Sequence, residues 1–267
     1  MARRSPDQLA TVLAAAASAV MVAFQLAGKA TRDALFLSTF EIGMLPRMVI
    51  AAALLSALCT IGLSRAMARN GPARLVPGLF MASALLLLLE WWLAAQYRSL
   101  VVVLYYLHFS ALGALLISGF WAMVTERFDP RTARVSITRI TTGASIGGLL
   151  GGLLSAPLGS VLSLTSILPL LALLHFIAAA LVLGVQPGAA TLPGPGQSEP
   201  LTARAAFRSS GHLRLLVLLV VLTATAEGLL DWVFKSRALA AAPSGEELLR
   251  FFALFYTATA LIGVLLQ

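Results

Sequence analysis

Long apolar runs dominate this chain and limit the folds open to it. Runs of the ~20 residues that a helix needs to cross a bilayer lie at roughly 9–30, 45–66, 75–96, 100–124, 140–162, 166–186, 213–235 and 248–267. Only 11% of the residues are charged, against about 25% in a typical soluble domain. We therefore expect an all-α protein that crosses a lipid bilayer several times.

The segment between the sixth and seventh runs divides the chain. It is rich in Pro, Gly and Ser, a composition that does not form a stable span. We predict a six-helix bundle over 1–186, a cytoplasmic linker over 187–212, and the first two helices of an incomplete second bundle over 213–267. Six helices, a linker and further helices is the plan of the major facilitator transporters, which contain two six-helix halves. The final ALIGVLLQ lies in or at the end of the eighth run, so we expect a fragment or a natural truncation.

Basic residues predict the orientation in the membrane. Twelve of the 19 Lys and Arg residues fall in segments on one side, which the positive-inside rule places in the cytoplasm together with the N-terminus. We expect a multi-pass protein of a bacterial inner membrane. Because this rule accounts for the net charge of +8, no nucleic-acid partner is expected.

The first apolar run ends in a cluster of charges formed by Lys29, Arg32 and Asp33. Residues four apart on a helix share a face, so Lys29 and Asp33 lie on one stripe with Arg32 beside it. Charges this deep in a membrane usually face a partner or a water-filled cavity. One interpretation is an anion-binding site in which Asp33 holds Lys29 until the substrate arrives. The alternative is a structural ion pair, or basic side chains that reach to the interface.

A similar pattern occurs in the seventh run, where Glu227, Asp231 and Lys235 follow one another at four-residue spacing. Lys235 is predicted to end its span as Lys29 ends the first, and a connection of about 12 to 15 residues follows each lysine before the next span begins. This repetition favours a parallel repeat with a matching substrate site in the second half. Lys235 near a helix end also fits a side chain that reaches to the interface.

Three further polar residues lie within apolar runs. Glu90 precedes Trp91 and Trp92, so it is either a coupling acid or part of an aromatic interfacial belt. His108 and His175 stand alone in their runs, which fits either a proton relay or ordinary core histidines.

The sequence gives little indication of an enzyme. It contains no H-E-x-x-H and no Cys or His cluster with metal-ligand spacing, and its one G-x-S-x-G match, from Gly143 to Gly147, lies within an apolar run rather than after a predicted strand. The run Gly143–Gly152 lacks the Gly-Lys-Ser/Thr of a phosphate-binding loop, and its four-residue glycine spacing predicts a close-packing helix face. We therefore expect no catalytic residues, no metal and no cofactor.

Several segments resemble the ATP/ADP translocase family of nucleotide transporters. They are GKATRDALFLSTFEIGMLPR from Gly28, GLSRAMARNGPARL from Gly62, FWAMVTERFDPRTAR with GASIGGLLGG from Phe120, and LLDWVFKSRA with ELLRFFALFYTATALIGVLLQ near the C-terminus. The resemblance implies a major-facilitator-like fold and exchange of nucleotides without hydrolysis. It also implies that Lys29 occupies the place of a lysine that contributes to nucleotide binding.

The same resemblance makes TERFDPRTAR the cytoplasmic connection between the fourth and fifth spans. Its charged residues are then candidate latches, with orientation-setting loop charge as the alternative: Glu126, Arg127, Asp129, Arg131 and Arg134.

The leading functional hypothesis is secondary transport of a nucleotide or similar phosphorylated anion by alternating access. Lys29, Arg32 and Lys235 would line the central cavity. One alternative is a major-facilitator-type transporter of another small anion. The other is a non-transporting membrane module that anchors or senses. The sequence does not indicate an oligomeric state.

Overall fold

The computed structural model describes residues 6–128, 133–161, 163–185, 210–242 and 244–266, and all regular structure among them is helical. Eight long helices lie within these described residues: α1 (Pro6–Thr39), α2 (Leu45–Asn70), α3 (Pro72–Leu93), α4 (Arg98–Arg127), α5 (Ala133–Val161), α6 (Leu168–Leu183), α7 (Gly211–Ala241) and α8 (Gly245–Leu265). Short 3₁₀ turns, Ile42–Met44 and Leu164–Ile167, precede α2 and α6.

Seven of these described helices are long and apolar enough to cross a bilayer, which confirms the expected class of multi-pass all-α membrane protein. The exception is α5, for which a span over 140–162 was predicted. It has 29 residues, and its crossing of the bilayer stays a prediction. The major-facilitator arrangement of six helices plus two stays a prediction.

The described helices fall into two compact units. Residues 1–190 and 242–267 form the first, which contains α1 to α6 and α8, and residues 191–241 form the second, which contains α7. Within the first unit α8 packs against α1 and α5. The predicted boundaries at 186 and 212 stay predictions, and residues 186–209 lie outside the described part.

Two helices run past the lysines that were predicted to end them. Helix α1 continues for ten residues beyond Lys29, and α7 continues for six beyond Lys235. The connections that follow are therefore short, 40–44 and 242–244, and the predicted connections of 12 to 15 residues are wrong. The physical reason is that Arg32 and Lys235 each have a carboxylate partner on their own helix, so these charges do not force the helix to end.

Helix α1 lies at the centre of the first unit and packs against α4, α5, α6 and α8. Its contact with α5 uses small residues on both sides. A methyl group added at Gly143, Gly147 or Gly151 would overlap the backbone of α1 at Ala15, Ala19 and Ala23, respectively. The glycine run is thus the close-packing face that its spacing predicted.

Candidate functional site

The charged cluster of α1 lies within the helix and is followed by buried apolar residues. Lys29, Arg32 and Asp33 lie in the C-terminal half of the helix, and the residues after them include the buried Leu35 and Phe36. The cluster is therefore an internal feature of a membrane-crossing helix rather than its end.

Both carboxylate oxygens of Asp33 accept hydrogen bonds. Its Oδ1 accepts hydrogen bonds from the Nε and Nη2 of Arg32, at 2.9 and 2.7 Å, and its Oδ2 accepts one of 2.7 Å from the hydroxyl of Tyr256. The Asp33 side chain is fully buried and that of Arg32 is 13% exposed. The predicted pairing of Asp33 with Lys29 stays a prediction, and the hydrogen bonds described here join Asp33 to Arg32 and to α8.

The Arg32 guanidinium also lies against α4. Its Nη1 donates to the hydroxyl of Ser110 at 3.3 Å, and its Cζ lies 4.7 Å from the ring centroid of Tyr106 and 5.5 Å from that of Phe109. Both rings are within cation–π distance. Arg32 thus has a carboxylate on one side and an aromatic surface on the other, an arrangement that holds the guanidinium in place.

Two further hydrogen bonds join α1 to α4 around the cluster. The Tyr105 hydroxyl donates to the carbonyl of Gly28 at 2.9 Å, and the Gln25 amide donates to the carbonyl of Gly113 at 3.2 Å. A side chain at Gly28 would collide with the ring of Phe109. Glycine at position 28 therefore permits the close approach that places Arg32 on α4.

Lys29 differs from its neighbours in exposure. Its side chain is exposed, although Gly28 and Ala30 on either side are buried. The Nζ atom lies 4.3 Å from the ring centroid of Tyr256, so this tyrosine contacts both Lys29 and Asp33.

Sequence reasoning missed the groups that surround the charges, which are Tyr105, Tyr106, Ser110 and Tyr256. One signal was present. A tyrosine hydroxyl inside an apolar span needs a hydrogen-bond partner when it is buried, and Tyr256 is such a residue in the run FFALFYTATA.

The predicted matching site lies in the second unit. On α7 the Nζ of Lys235 donates to Asp231 Oδ2 at 2.7 Å, a pair four residues apart, and Glu227 is one turn before Asp231. The two charged clusters belong to different units, so a shared cavity stays a prediction.

Glu90 forms a second buried polar group with residues of α3 and α4. Its Oε1 lies 2.9 Å from His108 Nδ1, and His108 Nε2 lies 2.7 Å from the Ser83 hydroxyl. Glu90 is 1% exposed, whereas Trp91 and Trp92 beside it are 46% and 71% exposed. The two indoles therefore point outward as an interfacial belt would, and Glu90 points inward.

His175 occupies an aromatic environment. Its ring centroid is 3.6 Å from that of Phe24 and 5.3 Å from that of Phe80, and neither ring nitrogen has a hydrogen-bond partner among the described residues. This placement fits a core histidine.

The candidate latch residues are only partly described. Arg127 Nη2 donates to Asp7 Oδ1 at 2.8 Å and so joins the end of α4 to the start of α1. Glu126 and Arg134 are exposed, and Asp129 and Arg131 lie outside the described residues.

A cavity of about 350 Å³ lies near the end of α1, where α4 and α8 begin. Its lining is mainly polar: Ser38, Arg98, Ser163, Leu164, Thr165, Ser244, Gly245 and Glu246. In the described part of the chain, no cluster of three or more His, Cys, Asp or Glu side chains is arranged to hold a metal ion.

The described geometry thus contains an exposed lysine beside a neutralised arginine, and a separate buried Glu–His pair. Comparison with known protein families, with characterised proteins and with solved structures found no match for this chain.

Proposed function

We propose that this protein is a secondary transporter that carries a nucleotide or similar phosphorylated anion across the membrane. The observation that supports this most directly is the exposed side chain of Lys29 within a membrane-crossing helix. A cation at such a position is costly unless it faces water or an opposite charge. In the proposal an anionic group on the substrate lies against this exposed side chain.

The surrounding charges favour an anion over a cation as the substrate. Arg32 and Asp33 neutralise each other, so with Lys29 the cluster carries a net charge of +1. Two nitrogens of Arg32 are occupied by Asp33 and a third by Ser110, which suits a positioning role. In the proposal Lys29, whose side chain is exposed, contacts the substrate.

Phosphate is the anion best suited to this chemistry. A lysine ammonium is a compact point charge with three donors and is a common phosphate ligand in proteins. The resemblance of segments around Lys29 and around Phe120–Gly152 to the nucleotide translocases supports a nucleotide as the carrier of that phosphate.

The test begins with binding of labelled ATP and ADP to the purified full chain in detergent. We expect saturable binding in the wild type and at least about a tenfold weaker affinity in Lys29→Ala, the loss of one charge-assisted contact worth at least about 1.4 kcal/mol. Arg47→Ala is the matched control, because it removes one exposed basic side chain on a different helix, α2. Its affinity should equal that of the wild type.

Competition and transport assays separate this proposal from its alternatives. Displacement of nucleotide by other small anions at equal concentration would favour a transporter of a different anion. Exchange of labelled for unlabelled nucleotide across proteoliposomes, lost in Lys29→Ala, would exclude a non-transporting anchor. Folded wild-type protein that binds no nucleotide would refute the nucleotide as substrate.

A further inference from the structure

The buried group formed by Ser83, Glu90 and His108 lies apart from the proposed substrate site. We infer that Glu90 and His108 form a proton-binding site that couples proton movement to transport, an inference that rests on the proposed function. The ligand is a single proton, taken up by the imidazole–carboxylate pair at one stage of the transport cycle and released at another.

The hydrogen bonds accommodate two protonation states. His108 Nδ1 donates to Glu90 Oε1 in either state, whereas Ser83 faces Nε2 at 2.7 Å. A serine hydroxyl both donates and accepts. It therefore donates to Nε2 when His108 is neutral and accepts from Nε2–H when His108 is charged. Uptake of a proton changes the net charge of the pair from −1 to 0 without loss of a hydrogen bond.

The Glu90–His108 pair is buried, and burial favours binding of a proton. Ser83 and Glu90 are 1% exposed and His108 is 7% exposed. Glu90 Oε2 is buried and has no hydrogen-bond partner among the described residues. A net negative charge in such surroundings is costly, so the neutral pair is favoured while it is closed off. Access to water on one side then permits release.

The other titratable groups near the pair are few within the described helices. Tyr105 of α4 interacts electrostatically with Glu90, and His175 of α6 interacts with His108. The arginines of α2 and the single arginine of α3 are exposed, so none of them faces the buried pair: Arg47, Arg65, Arg69 and Arg74. From α1, Arg32 contacts Tyr106 and Ser110 of α4, but its charge is paired with that of Asp33. Among the described residues of α2, α3 and α6, no arginine or lysine lies against the pair to hold it permanently in one charge state.

Helix α4 connects this pair to the substrate site. Helix α4 carries His108 and, within one and a half turns, Tyr106 and Ser110. These last two residues contact Arg32. Tyr105 on the same stretch donates to the carbonyl of Gly28, next to Lys29. In the proposal, substrate binding shifts α4 relative to both α1 and α3, and this shift changes the position of His108 relative to Glu90.

The experiment uses the full chain in proteoliposomes with labelled nucleotide and the membrane potential held at zero. With one proton per substrate, a gradient of one pH unit sustains an accumulation ratio of about tenfold. We expect this in the wild type and a ratio near one in Glu90→Gln, with exchange of preloaded nucleotide preserved. Glu41→Gln, which alters an exposed glutamate between α1 and α2, should behave as the wild type.

The possible outcomes are distinguishable. Wild-type exchange without any response to the pH gradient, or an equal response in Glu90→Gln, would overturn the proton site and leave transport intact. No exchange in the wild type would overturn the proposed function, and with it the coupling. If Glu90→Gln abolishes exchange as well, Ser83→Ala decides, since it keeps both charged groups. Its gradient-driven uptake should show a shifted pH midpoint, and an unchanged midpoint would refute the inference.

Discussion

Replacement of Tyr256 by phenylalanine removes one hydroxyl and keeps the ring. In the structure that hydroxyl donates to Asp33 Oδ2 at 2.7 Å in a buried setting, while the ring remains available to Lys29. A hydrogen bond to a charged group contributes about 1.5–3 kcal/mol. We expect Tyr256→Phe to lower the free energy of unfolding by that amount, because one oxygen of a buried carboxylate loses this donor.

A double-mutant cycle with Asp33→Asn isolates this contact. Asp33→Asn also removes the charge opposite Arg32, and loss of one partner of a buried ion pair costs about 3–5 kcal/mol. The 13% exposure of Arg32 places the expected cost at the lower end. Because Tyr256 and Asp33 contact each other, the double variant should be less destabilised than the sum of the single variants, by at least about 1 kcal/mol.

Unfolding with denaturant in detergent micelles, followed by tryptophan fluorescence, measures these differences. Tyr97→Phe is the control, since Tyr97 is 54% exposed and lies before α4, and it should change stability by less than about 0.5 kcal/mol. A Tyr256→Phe variant as stable as the wild type, or an additive cycle, would refute the bond between α1 and α8.

Further predictions concern packing and caps. Gly147→Ala should destabilise by about 1–3 kcal/mol, since its methyl group overlaps the backbone of α1. Gly62→Ala meets no atom within 4 Å and should be neutral or stabilising by up to about 1 kcal/mol. Removal of the exposed partner in the Arg127–Asp7 pair, by Asp7→Asn, should cost no more than about 1 kcal/mol, because that carboxylate is 77% exposed. Ser244→Ala removes the N-cap of α8 and should cost about 0.5–2 kcal/mol. The same unfolding assay checks all four, and a reversed order of the two glycine variants would contradict the packing argument.

Hydropathy located the helices but not their ends. A window of apolar residues identifies α1 and α7, yet both continue beyond the lysine at which the apolar pattern stops. A hydropathy pattern predicts the end of a helix wherever a charged residue interrupts the apolar run. A charge that finds a partner on its own helix, as Lys235 finds Asp231, does not have to leave the membrane.

The spacing of residues in the sequence predicted which residues share one face of a helix. The four-residue repeat from Gly143 indicated a packing face because sequence alone places those glycines on one side of a helix. It did not indicate that Ala15, Ala19 and Ala23 of α1 would lie opposite.

The sequence by itself determined the all-α membrane class, since a helix satisfies its backbone within its own segment and each apolar run therefore specifies its own structure. Only the tertiary structure decided which polar side chains meet. Tyr256 and Asp33 are 223 residues apart, and His108 joins Glu90 across two helices. These contacts depend on how each helix is rotated about its axis, and a helix that is apolar on all sides carries little pattern to specify that rotation.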